Sequence, residues 1–140
     1  MAHARLSPSS AEKWAECTAS VKACEGYPNT SSEPARKGTA EHLVLEECIL
    51  FSDDPQRYLG RIVRFWSDDT ENGWTIPPGE KESNHVVLDQ DACDRVDSAV
   101  AFVERVAALT GARVYAERRV PIGHVTGEHG ARGTSDIVLL

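Results

Sequence analysis

Gly38-Thr39-Ala40-Glu41-His42-Leu43-Val44-Leu45-Glu46-Glu47-Cys48-Ile49-Leu50 is the stretch from which the rest of the chain is read. Leu43, Leu45, Ile49 and Leu50 predict an amphipathic helix, roughly Pro34 to Phe51, with those side chains inward. Ser32 or a neighbour caps its start, and Asp53-Asp54-Pro55 ends it. His42 and Glu46 are four residues apart and share one helical face, a placement that suits a metal ligand and a supporting carboxylate. Gly38 leaves backbone space ahead of them. A lone helical histidine is more often a surface or core residue. The pattern gains chemical weight from Gly133-Thr134-Ser135-Asp136-Ile137-Val138-Leu139-Leu140, where Asp136 begins an apolar strand.

The composition sets the class. A chain of 140 residues, 41% hydrophobic and 26% charged, is one domain long enough to bury a core. It has no apolar run of membrane-spanning length and no apolar segment behind its N-terminus, which predicts a cytoplasmic protein with no membrane partner. A net charge of -7 argues against a general basic wrap around nucleic acid. It leaves room for an enzyme that holds cations between carboxylates and touches phosphates with a few arginines. Arg36-Lys37, Arg118-Arg119, Arg61, Arg64 and Arg132 are read as solvated faces. Cys17, Cys24, Cys48 and Cys93 form no C-x-x-C pair and no tight cluster with histidine, so a zinc finger or ribbon is not expected, and all four are read as mostly buried small apolar residues.

In chain order, Ser7-Pro8-Ser9-Ser10-Ala11-Glu12-Lys13-Trp14 opens a short helix capped by Ser7 or Ser9, with Trp14, Cys17 and Val21 facing the core. Gly26 to Ser32 is a loop. After the central helix, Tyr58, Leu59, Ile62, Val63 and Phe65 predict a second helix from Pro55 to Trp66, and the polar stretch Ser67 to Asn84 a long surface loop. Val96, Val100, Val103, Val106 and Ala107 predict a helix over Gln90 to Thr110, ended by Gly111. Arg113 to Pro121 alternates as a strand, Gly123 to Gly133 connects, and Ser135 to Leu140 is a second strand. The expected fold is α/β (α+β in detail), a long helix packed on a small mixed sheet. The chain divides into a helical region 1–66, a loop 67–84, and a helix with two core strands over 85–140. It stops inside its most apolar strand, so a further strand, and a chain cut short, are expected.

With these residues in hand the chain resembles a RecB-like nuclease of the PD-(D/E)XK superfamily, of the phage and prophage type. Three passages carry the likeness: Leu6-Ser7-Pro8-Ser9-Ser10-Ala11 with Trp14 and Cys17, then Gly38-Thr39-Ala40-Glu41-His42, then Tyr115 to Val120 followed by Gly133-Thr134-Ser135-Asp136. The likeness runs in order over nearly the whole chain. It implies a partial restriction-endonuclease-like core, with His42 and Asp136 as metal ligands, Asp136 and Glu117 as catalytic carboxylates, and Glu46 as a support. It also implies Mg2+ or Mn2+ as cofactor, DNA as substrate and a bacterial host cell as the setting. The family's next element, a strand bearing (D/E)-x-K, does not follow Asp136 here. Cys17 resembles the early cysteine of iron–sulfur relatives, but the late triplet of that pattern is missing, so no cluster is expected.

Phosphodiester hydrolysis at neutral pH needs an activated water and relief of negative charge, which a bound divalent cation supplies. One aspartate and one histidine hold Mg2+ weakly, and imidazole favours Mn2+. The expectation is therefore the N-terminal portion of a metal-dependent DNA nuclease of exonuclease type, with little cleavage by this chain alone. The alternative is an inactive nuclease-like module that binds a protein partner, or itself, through an open sheet edge. A plain α/β domain in which His42 and Asp136 never meet is the third reading.

Overall fold

A computed structural model describes residues 11–17, 19–23, 31–127, 129–130 and 132–140, without the side chains of Ala11, Lys13, Trp14, Glu117 and Thr126. The expected cap at Ser7 or Ser9, the passage Leu6 to Ser10, Cys24 and most of the loop after Gly26 lie outside the described residues, as do the side chains of Trp14 and Glu117. The helices are α1 (Ala11–Glu16), α2 (Ala19–Ala23), α3 (Glu33–Phe51), α4 (Gln90–Thr110) and α5 (Gly123–Thr126). The strands are β1 (Ile62–Trp66), β2 (Glu71–Gly73), β3 (Glu82–Val87), β4 (Val114–Pro121) and β5 (Arg132–Leu139). The fold is α+β. Among the described residues no helix is long and apolar enough to cross a membrane.

Contacts divide the chain into two units, Met1–Asn29 with Glu117–Ser135, and Thr30–Ala116 with Asp136–Leu140. In the first, α1 and α2 pack together, joined by a Ser20 N–H to Cys17 carbonyl bond of 2.9 Å. The turn between β4 and β5 holds α5, which closes when the Gly127 N–H donates to the Gly123 carbonyl.

In the second unit, Ser32 caps α3 by accepting from the Ala35 N–H, and Glu33 and Pro34 occupy the first turn, where charge and missing donor are both favoured. Ala40, Val44 and Cys48, spaced by four, are its buried line. Leu43 and Leu45 pack against the core from the sides, while Leu50, expected inside, is exposed. Six residues beyond Val44, it is turned well away from that line. α4 is capped by Asp89, which accepts from the Ala92 N–H at 2.8 Å, and by Gly111 at φ 68°. Its buried residues Ala92, Cys93, Val96 and Val103 follow the expected stripe, and α3 and α4 pack on each other. Arg95 clamps the pair by donating from Nε and Nη2 to the Glu41 carboxylate of α3.

The expected helix over Pro55 to Trp66 is a 3-10 turn, Pro55–Tyr58, followed by strand β1. Gly60 at φ 75° breaks the helical path, and Ile, Val, Phe and Trp then suit a pleated, half-buried surface. β1 sends Val63 and Phe65 into the core and pairs antiparallel with β2 and β3 in the order β2-β1-β3. The loop expected over Ser67 to Asn84 therefore contains β2 and the first part of β3. The pairing in this sheet is antiparallel rather than mixed, and β4 and β5 form a separate two-stranded sheet.

The β1–β2 connection runs through three successive non-glycine residues in the left-handed region, Ser67, Asp68 and Asp69, at φ 52°, 54° and 66°. Such a run is costly for L-residues. It is offset by the Asp69 carboxylate, whose side chain is 9% exposed. This group accepts from Asn84 Nδ2 at 2.9 Å, from Ser83 Oγ, and from Arg36 Nη1 at 3.1 Å. Arg36, read from sequence as a solvated residue, is thus a half-buried clamp that also donates to the Ser31 carbonyl. The Ser83 bond above all, with Asn84 and Arg36, holds the Asp69 carboxyl below the usual carboxylate range. Its stabilisation is present above the unfolded value of about 3.9 and is lost as pH falls through the lower folded one. The advantage of wild type over Asp69→Asn in urea denaturation is expected to shrink below about pH 4. An advantage independent of pH would contradict the clamp.

Gly38 has open space where a Cβ would stand and no positive φ. Gly38→Ala is expected to stabilise the protein by about 1 kcal/mol in the same assay, from helix propensity alone. A loss of stability would mean that the glycine is required by the fold.

Candidate metal centre

His42 lies two residues from both Ala40 and Val44, so at about 100° per residue it points away from the buried line of α3. Asp136 lies on β5, in the part of that strand that belongs to the same unit as α3. The end of β5 is fixed by a reciprocal pair of bonds between Arg113 and Leu140, N–H to O at 2.6 and 3.0 Å, the pattern of an antiparallel ladder. Ile137, Val138 and Leu139 are half-buried, whereas Asp136 faces outward.

The structure brings the two together. His42 Nδ1 and Asp136 Oδ1 are 3.7 Å apart, and the side chains are 58% and 60% exposed. The separation is longer than a hydrogen bond, so neither atom consumes the other's ligand capacity. Two donors about 2.1 Å from one ion and at right angles to it stand about 3.0 Å apart, so a shift of well under 1 Å would let both reach it. One carboxylate oxygen and one imidazole nitrogen form a donor pair acceptable to Mn2+ and, less readily, to Mg2+. The exposure leaves room for the waters that such ions retain. The pair fits a divalent cation as part of a ligand set.

Glu46 is half-buried one turn beyond His42. Among the described residues it completes no cluster with the pair, because no group of three or more His, Cys, Asp or Glu side chains gathers there. Glu117 lies within β4, and its side chain is outside the described residues. Glu41, next to His42, is committed to Arg95, whose guanidinium is held protonated above its ordinary range, first by the Glu41 hydrogen bond. The buried thiols are poor ligands. Burial, reinforced by Asp53 and Asp54, pushes the Cys48 thiol up to about 11, and burial raises Cys93 too. Cys17, expected to be buried, is exposed.

Sequence reasoning missed a second polar centre on the other side of α3. Glu47 lies within hydrogen-bond distance of the Tyr58 hydroxyl at 2.9 Å and of Trp74 Nε1. The Arg61 guanidinium lies 4.0 Å from the Trp74 ring centre and 4.9 Å from that of Tyr58. Burial, then Glu47, holds the Tyr58 hydroxyl protonated. The group ties α3 to the turn and sheet and is structural. Only the acidic-aromatic composition of these segments hints at it.

An α+β chain with a histidine on a helix beside an aspartate on a strand is the class that fold and site define. Residues 3–140 match the family model described as "Protein of unknown function (DUF2800)", and the chain belongs to that family. No solved structure matches the fold.

Proposed function

We propose that this chain is the N-terminal part of a divalent-metal-dependent DNA nuclease of the RecB-like PD-(D/E)XK type, acting in the cytoplasm of a bacterial host cell as a phage or prophage protein. The observation that carries this reading is the meeting of His42 and Asp136. They are ninety-four residues apart in sequence, are the two positions that the family resemblance assigns as ligands, and come within 3.7 Å.

In this reading His42 and Asp136 hold Mg2+ or Mn2+, which when bound lowers the pKa of a coordinated water and polarises a phosphoryl oxygen. Asp136 supplies the negative charge and His42 the borderline-soft donor that favours Mn2+. Helix α3 positions the imidazole, and the Arg113–Leu140 pair anchors the end of the strand that bears the carboxylate. Glu117 and the carboxylate of the (D/E)-x-K strand would complete the set, with DNA as substrate. The test is cleavage of labelled DNA by the protein that includes the (D/E)-x-K strand, with Mn2+ and with EDTA. Cleavage that needs the cation supports the reading; none with either Mn2+ or Mg2+ overturns it.

A further inference from the structure

We propose that the cleft at the turn between β4 and β5 binds the phosphodiester backbone of a polynucleotide strand, through Arg132, His124 and His129. The inference takes its polymer from the nuclease reading and its site from separate observations in the other unit of the chain. The cleft has a volume of about 530 Å³, and its walls include His124, His129 and Arg132 together with Gly123, Gly127 and Gly130. The three polar side chains are all exposed. Arginine brings a fixed fork of donors that matches phosphate oxygens, and each imidazole adds a ring N–H. The glycines remove side-chain bulk, so a backbone as thick as a nucleic-acid strand can approach the main chain.

Charge points the same way. The segment from Arg113 to Arg132 carries four arginines and two histidines against two glutamates, in a chain whose net charge is -7. A polyanion is repelled by most of this surface and attracted to a local cationic stretch, where neutralising phosphates releases counterions. A volume of about 530 Å³ exceeds what one small oxyanion needs.

The test is fluorescence anisotropy of a labelled single-stranded DNA oligonucleotide with the full chain, in EDTA, across about 50 to 200 mM salt. Arg132→Ala is expected to weaken binding about tenfold and to flatten the slope of log affinity against log salt by about 0.7. The double variant His124→Ala, His129→Ala is expected to weaken it as well, with unchanged far-UV circular dichroism in both. Wild-type affinity and slope in both variants would overturn the proposal. So would displacement of the DNA by inorganic phosphate near 1 mM at constant ionic strength, which would assign the cleft to a small free phosphate. EDTA separates this test from the nuclease reading. Cleft-dependent binding without any cleavage by the protein that includes the (D/E)-x-K strand supports the cleft and removes the nuclease. Metal-dependent cleavage with cleft variants that bind normally removes the cleft alone.

Discussion

Under the nuclease proposal, Asp136→Asn is expected to lower Mn2+-dependent DNA cleavage at least about 100-fold in a protein in which a (D/E)-x-K strand follows this chain, with its melting temperature nearly unchanged. Asparagine keeps the shape of the side chain and removes the charge that a divalent cation needs. Asp136 is more than half exposed and fills no core space, so its replacement leaves the packing intact. His42→Ala is expected to have an effect of the same order, because His42 is equally exposed and points away from the buried line of α3. The double variant should be little worse than either single one, since residues that hold one ion act as a unit. Single variants that each keep more than half of the activity would remove both residues from the site.

Phe65→Ala is expected to cost about 3–5 kcal/mol, a large part of the 5–15 kcal/mol typical of a domain. Phe65 is 1% exposed, lies in the central strand of the β2-β1-β3 sheet and belongs to the core formed with α3 and α4. Truncation removes the ring and leaves a cavity that strands paired on both sides cannot collapse to fill. Urea denaturation followed by circular dichroism measures the loss. A cost under about 1 kcal/mol would mean that β1 does not pack as described.

The two long helices were legible because their signals are local. Ser32, Asp89 and Gly111 mark their ends, and apolar spacing marks their buried sides. β1 was not legible, because Tyr58, Leu59, Ile62, Val63 and Phe65 also fit helical spacing, and the turn at Gly60 decides the matter. β2 and β3 are short and largely polar edge strands, so no alternation of apolar residues announces them. For the site, the face of His42 followed from helix periodicity, but its encounter with Asp136 was expected from the family resemblance alone, since no spacing rule relates residues so far apart. The Arg36–Asp69 clamp is likewise a long-range contact with no sequence signature, which is why Arg36 read as a surface residue.

The measurement closest to the central claim is a Mn2+ titration of this chain, followed by the electron paramagnetic resonance of the free ion, for wild type, His42→Ala and Asp136→Asn. One weakly held ion per chain is expected in the wild type, and its loss in both variants. An ion bound equally well by all three proteins, or by none, would contradict it.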